Sequence, residues 1–234
     1  MSQSTPIKIA LVILTFKEAE ALKVILPKLK NLPKNAVDEI FAVNRESTDG
    51  TREILEEFGI PVFDQPIPGR GEAMCFSAGL TDSNYLIFFS PDGNEDWNDI
   101  PKFRGYFEHG FDLVIASRMM KGARNEEDDQ FFRFRKWANI AFNWLAYVLI
   151  GRGGPYITDT INGFRGIRKA LIEELKLDAE GYTLENQMTL RSLKFKKKIV
   201  EFPTYEGDRI AGYSKAPSIP TGINFLKRLL KEVL

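Results

Sequence analysis

Apolar positions along this chain change period several times, and each change marks an element. Residues 7–14, IKIALVIL, are almost continuously apolar, as a strand covered on both faces would be. KEAEALKVILPKLKNL follows, with Leu22, Ile25, Leu26 and Leu29 at helical spacing and Pro27 as an interruption. DEIFAVN predicts a second strand, and STDGTREILEEFG a helix with Ser47 or Asp49 as cap and Gly59 as stop. The alternation continues through a short strand IPVFDQ, a helix from about Arg70, a strand NYLIFFS, a helix from about Asn98 and the strand FDLVIASR. Strand and helix in turn predict βαβ crossovers, hence an α/β fold with a mainly parallel central sheet flanked by helices. Ligands of such sheets bind at the carboxyl ends of the strands. Here those ends fall at 15–18, 44–49, 65–71, 90–96 and 117–118, all polar, glycine-rich or charged.

The second half has a different texture. Residues 119–135 are charge-rich and predict a mobile connection, followed by a long amphipathic helix from about Phe131. Then come the glycine-rich GRGGPYITDTINGFRGIRK, a helix around TLENQMTLRSLK, a strand KKIVEFPTYE, the loop GDRIAGYSK and a last helix TGINFLKRLLKEVL. No repeat, low-complexity tract or Gly/Ser linker divides the chain, so residues 1–234 read as a single domain with halves at 1–118 and 119–234.

Composition narrows the function. With 44% hydrophobic and 27% charged residues the chain belongs among globular proteins rather than disordered ones. Its 32 basic and 32 acidic side chains cancel, which gives no reason to expect a nucleic-acid partner. From Arg191 onward, however, ten Lys or Arg face four Asp or Glu, so an anionic partner near that end fits. The single cysteine, Cys75, permits no internal disulfide and suits a reducing, cytoplasmic setting. The single histidine, His109, leaves no material for the usual hydrolase triads or His-rich zinc sites. The N-terminus lacks a signal-peptide pattern, and the most apolar stretch, Trp137–Gly151, is shorter than a membrane span.

Candidate chemistry centres on FFSPDGNEDW, residues 88–97. Asp92, Asn94 and Asp96 offer hard oxygen atoms at alternate positions just after a strand, the ligand type that Mg²⁺ or Mn²⁺ prefers. The same Pro, Asp, Gly and Asn also suit a solvated turn, and only their place at a strand's carboxyl end favours the metal.

Seven segments in order resemble the family 2 glycosyltransferases of GT-A (Rossmann-like) fold, and most the dolichyl- or polyprenyl-phosphate sugar synthase branch. LVILTFKEAEAL resembles that family's PxYNExxNL opening, VNRESTDGT its VDDGSTDGT, and GRGEAM its RGxGxA. SPDGNED stands in the place of the Asp-x-Asp metal motif, while FDLVIASR resembles xDxVxGSR. DTINGFRGIRK is similar to DxxSGFRxxxR, and EFPTYEGDRIAGYSK to ExPxxFxxRxxGxSK. The resemblance implies inverting transfer of a sugar from a GDP- or UDP-sugar donor to a polyprenyl phosphate or glycan acceptor. The first half would then bind the nucleotide-sugar and the second half the acceptor. Thr15, Phe16 and Glu18, with Asn44 and Ser47, would line the base and ribose pocket. Arg70 would belong to the donor site, and Ser117 and Arg118 would sit beside metal and nucleotide. Asp92, Asn94 and Asp96 would hold the ion, and Arg209, Ser214 and Lys215 would close over the phosphates. Leu14, Lys17 and Asn44 depart from the family pattern, where Pro, Asn and Asp are usual, and so does Asn94, which replaces a carboxylate.

A phosphate acceptor is already anionic, whereas a hydroxyl needs a carboxylate to take its proton. Asp159 is the candidate base by motif position; it could equally cap the next segment or pair with Arg165. Arg133 and Arg135 could meet an acceptor phosphate or simply flank their helix. The amphipathic stretches Phe131–Gly151 and Gly222–Leu234 offer ordinary core, a homodimer interface or a peripheral contact with the inner membrane face. Two rivals remain: a non-catalytic nucleotide-sugar-binding protein, and a sugar nucleotidyltransferase. TFKEAE after the first strand argues against the latter, which normally carries a glycine-rich loop there.

Overall fold

The computed structural model describes residues 6–211 and 218–234. One seven-stranded sheet runs through it, in the order β3-β2-β1-β4-β6-β5-β7. The strands are β1 (Ile9–Thr15), β2 (Glu39–Asn44), β3 (Val62–Asp64), β4 (Tyr85–Phe89), β5 (Leu113–Ser117), β6 (Arg165–Arg168) and β7 (Ile199–Pro203). All neighbours are parallel except β6, which runs antiparallel to both β4 and β5. The apolar runs behave as their sequence predicts: every residue of β1 and of β5 is buried, because helices cover both faces.

Helices α1 (Ala19–Leu29), α2 (Thr51–Glu57) and α4 (Ile100–Glu108) pack on one face. There Leu22, Ile25, Leu26, Leu55, Phe103 and Phe107 meet Ile9, Leu11 and Ile13. Helices α3 (Arg70–Ser77), α6 (Lys169–Glu174) and α7 (Thr183–Lys194) cover the other, with Met74, Leu171 and Met188 against Val12, Val43 and Phe88. The remaining pair, α5 (Phe134–Ala146) and α8 (Ser218–Val233), stand outside these layers and touch α7 through a small cluster of Ala146, Leu190 and Leu229.

The structure departs from the sequence expectation in three places. The glycine-rich segment contains β6 and leads into α6, neither of which the apolar pattern announces. Strand β6 lies close under α4: a Cβ on Gly166 would come within 2.5 Å of Phe107 and 2.8 Å of Phe103, so only glycine fits. The charged connection after β5 is a series of turns anchored on Glu206, which accepts from Asn125 Nδ2 at 2.8 Å and from the Glu126 N–H at 2.9 Å. Finally, Gly50 rather than Ser47 or Asp49 occupies the cap position of α2. Asp49 still works nearby, accepting from the Thr51 hydroxyl and from the Ala19 N–H that opens α1.

Candidate active site

A cavity of about 980 Å³ opens at the carboxyl ends of β1 and β4 and extends between α5 and α8. Its polar corner begins where β4 runs into Ser90. Gly93 adopts φ 98°, and a Cβ there would lie 2.6 Å from the Ile210 side chain, so the strand end is pressed against the 207–210 loop. Two backbone bonds fasten them: Ile210 N donates to Asp92 O at 2.8 Å and Gly207 N to Asn94 O at 2.9 Å. The acidic motif and the basic C-terminal loop therefore meet, and Arg209 Nη1 lies 2.7 Å from Asp92 Oδ2.

Within this corner the three candidate metal ligands part company. Asp92 and Asn94 line the cavity; Asp96 does not. Asp96 instead caps the turn at 97–99, accepting from Asn98 N at 3.0 Å and Asn98 Nδ2 at 2.8 Å. Among the described residues no three His, Cys, Asp or Glu side chains converge on one point. Yet Asn94 Oδ1 is buried with no hydrogen-bond partner among them, while the Asn94 N–H donates to Asp92 Oδ1 at 3.1 Å. An orphaned amide oxygen on a residue that bonds a carboxylate suits a hard cation that takes its other oxygens from phosphate and water.

Next to the corner lies a cluster in which motif residues meet Glu185, which no motif announced. Arg70, at the start of α3, donates through Nε to Glu185 Oε1 at 2.7 Å and through Nη1 to Ser90 Oγ at 2.6 Å. Its Nη2 is 3.8 Å from Glu95 Oε1. Burial pushes the Glu95 carboxyl up to about 8; Arg70 opposes the rise and Asp92 adds to it. Burial alone would lower Arg70, but Glu185 and Glu95 hold it above the ordinary arginine value.

Asp159 is fully buried and does not reach the cavity. Its partner is Arg118 rather than Arg165: Nε meets Oδ2 at 2.8 Å and Nη2 meets Oδ1 at 3.0 Å, a two-pronged contact. The third nitrogen of Arg118 donates to Glu206 at 3.1 Å. Burial would depress Arg118, and the two carboxylates raise it well above the usual value. Arg165 is buried too, and donates to the carbonyls of Asn162, Glu185 and Thr160. Burial lowers it to about 10.

At the carboxyl end of β1, Thr15, Phe16 and Glu18 line the cavity, as does Arg45, whose guanidinium sits 5.1 Å from the Phe16 ring. Asn44 and Ser47 lie beneath rather than in the wall. Asn44 Oδ1 accepts from Ser47 Oγ at 2.6 Å and Thr15 Oγ1 at 3.3 Å, and Ser47 Oγ in turn accepts from Lys17 N at 2.9 Å. Ser117 is likewise buried off the cavity, 2.7 Å from Thr158 Oγ1. Ser214 and Lys215 lie outside the described residues. The opposite wall is apolar, formed by Phe134, Ala138 and Phe142 of α5 and by Ile223, Phe225 and Leu226 of α8.

Sheet order, the strand-end cavity and the Asp-Gly-Asn corner define a glycosyltransferase of GT-A architecture. The structure superposes with a TM-score of 0.71 on glucosyl-3-phosphoglycerate synthase of Mycobacterium tuberculosis, crystallised with Mn²⁺, UDP-glucose and phosphoglyceric acid. That match covers 97% of this chain and 79% of the other at 18% identity, so it speaks for the fold alone. Residues 10–176 match Glycosyl transferase family 2, and the chain belongs to that family. It is 26% identical over 234 residues to the dolichyl-phosphate hexose transferase of Haloferax volcanii, covering all of this chain and 97% of that one. It is also 26% identical over 220 residues to the undecaprenyl-phosphate mannosyltransferase of Micrococcus luteus, covering 89% and 87%. The resemblance to the polyprenyl-phosphate sugar synthase branch thus extends over the whole chain.

Proposed function

We propose that this glycosyltransferase moves a hexose from a GDP- or UDP-sugar to a polyprenyl phosphate, with inversion and with Mg²⁺ or Mn²⁺ as cofactor. The observation that carries the reading is the two-sided cavity: a charged corner at the strand ends opens directly onto an apolar wall from α5 and α8. A phosphate on a hydrocarbon chain has those same two sides. The named relatives that act on lipid phosphates support it.

In this mechanism Asp92 and Asn94 would hold the cation, which would neutralise charge on the departing diphosphate. Arg209, released from Asp92, shares that task as a fixed guanidinium. The acceptor's phosphate oxygen attacks the anomeric carbon as the bond from that carbon to the donor diphosphate breaks, and the nucleoside diphosphate leaves with the electron pair. No proton need be removed from such an acceptor, which agrees with Asp159 being locked onto Arg118 away from the cavity. Phe131, Phe132, Phe134, Trp137 and Trp144 are exposed, Phe131 by 90%, and would rest on the membrane face from which the lipid is drawn. Among the described residues no helix is long and apolar enough to cross that membrane.

The test is a transfer assay with GDP- and UDP-hexoses, Mn²⁺ and undecaprenyl phosphate in detergent, read by mass spectrometry. A sugar-phosphoryl lipid is the expected product. Transfer to sugar hydroxyls alone would remove the lipid-phosphate reading, and binding without turnover on any acceptor would point to a nucleotide-sugar-binding module instead.

A further inference from the structure

Glu185 enters the cavity wall from the first turn of α7, with its side chain 2% exposed. One carboxylate oxygen, Oε1, accepts from Arg70. The other, Oε2, is buried and has no hydrogen-bond partner among the described residues. A desolvated carboxylate oxygen without a donor is costly, and a native fold retains one where a ligand supplies the donor.

Its neighbours say which part of a ligand arrives there. Glu185, Arg70, Ser90 and Asp92 form a continuous series: Arg70 binds Glu185 on one side and Ser90 on the other, and Ser90 lies two residues before Asp92 on the strand end. A diphosphate held at Asp92 and Arg209 therefore places whatever is bonded to it one guanidinium away from Glu185. Arg70 already balances the charge of Glu185, so the free oxygen calls for neutral donors rather than a second cation. The α3–α7 approach that sets this geometry is tight: Gly71 N donates to Gly181 O at 3.1 Å, and a Cβ on Gly71 would be 2.7 Å from Leu184 Cβ.

Resting on the proposed donor site, we infer that Glu185 Oε2 accepts a hydroxyl of the transferred sugar and is a residue by which this enzyme selects its hexose. Arg70 is its positioning partner. A sugar lacking that hydroxyl leaves a buried carboxylate oxygen without a donor, which discriminates far more sharply than a missing apolar contact.

The experiment is calorimetric titration of wild type and Glu185→Gln, in Mn²⁺, with GDP, UDP, GDP-mannose, UDP-glucose and UDP-galactose. Gln keeps an acceptor for Arg70 and the helix intact, but removes the charge. The expected result is unchanged affinity for the free diphosphate, within about twofold, with a loss of about tenfold or more for the preferred sugar nucleotide. Equal loss for diphosphate and sugar nucleotide, or no loss for either, would overturn the inference. Circular dichroism and a thermal melt of the variant separate these results from misfolding; should Glu185→Gln not fold, Glu185→Asp is titrated in its place and judged by the same outcomes. If wild type binds no diphosphate at all, the donor site itself is wrong and this assignment goes with it.

Discussion

Two arginine–carboxylate pairs face one cavity and differ in nearly every physical respect. Arg118 grips a fully buried Asp159 with two prongs and spends its third nitrogen on Glu206. Arg209 touches Asp92 through a single contact, at side-chain exposures of 25% and 12%. In the first pair every guanidinium nitrogen already bonds a carboxylate, although Arg118 lines the cavity; the second can exchange each partner for a phosphate or a cation at little expense. Scaffold and site are thus distinguished by how completely the charges are satisfied, not by which residues carry them.

The comparison is broken most directly at Asp92. Asp92→Ala should reduce metal-dependent nucleotide binding by more than about 100-fold, since loss of a direct ligand exceeds the 10–100-fold typical of its supporting partners. Its stability should fall by about 1–2 kcal/mol, as Asp92 gives up its contact with Arg209 and the bond it accepts from Asn94 N. Titration with and without Mn²⁺ checks the first expectation, and metal-dependent affinity equal to wild type would reject the cation corner. Asp159→Asn should do the reverse. Removing one charge from the buried pair should cost about 3 kcal/mol in denaturant unfolding. Turnover per folded molecule should stay within about tenfold of wild type; complete loss in a folded variant would restore Asp159 as a general base and favour a hydroxyl acceptor.

Glu95 sharpens the comparison through pH. Its folded carboxyl titrates at about 8 because burial disfavours its charge, whereas in the unfolded chain it titrates at roughly 4.3. Between those values the native state holds a proton that the unfolded state has released, so stability falls as pH rises across that window. Glu95→Gln lacks this proton. Measured at pH 5 and at pH 8.5, the variant should gain on wild type in unfolding midpoint at the higher pH. A gap that stays constant would mean Glu95 is charged at neutrality, sharing Arg70 with Glu185.

Much of this was readable from the chain, for identifiable reasons. Alternating periods announce β1 through β5 because their crossovers are local and β1, β4 and β5 are covered on both faces. Asp92, Arg209, Thr15 and Phe16 stand in motifs, and each lines the cavity. What stayed hidden depends on distant pairing. Strand β6 is four residues of RGIR whose Arg165 is fully buried, against every expectation for that side chain, because carbonyls of the 160–162 turn and α7 receive it. Glu185 is separated from Arg70 by 115 residues, and nothing local distinguishes it from a solvated helix position. The TLENQMTL segment does carry one usable hint: its polar residues fall on every side of the helix, yet nearly all of α7 is buried. Asp96 misled for the opposite reason, because alternate spacing resembles a ligand set while its actual neighbour, Asn98, is two residues away.

The smallest effect lies at Lys17, where the loop after β1 takes φ 53°. A left-handed conformation strains a lysine and is tolerated better by asparagine, the residue that the family pattern carries there. Lys196, just past the end of α7, adopts the same φ 53° on the exposed surface, and so serves as a control. Lys17→Asn and Lys196→Asn should each stabilise the fold by about 0.5 kcal/mol, read from urea midpoints. Only Lys17→Asn should also alter nucleotide affinity, because the Lys17 ammonium stands 5.6 Å from the ring of Phe16, which lines the cavity. If Lys196→Asn gains stability while Lys17→Asn loses it, the ammonium over Phe16 outweighs the backbone strain, and the departure at position 17 is an adaptation of the pocket rather than a tolerated flaw.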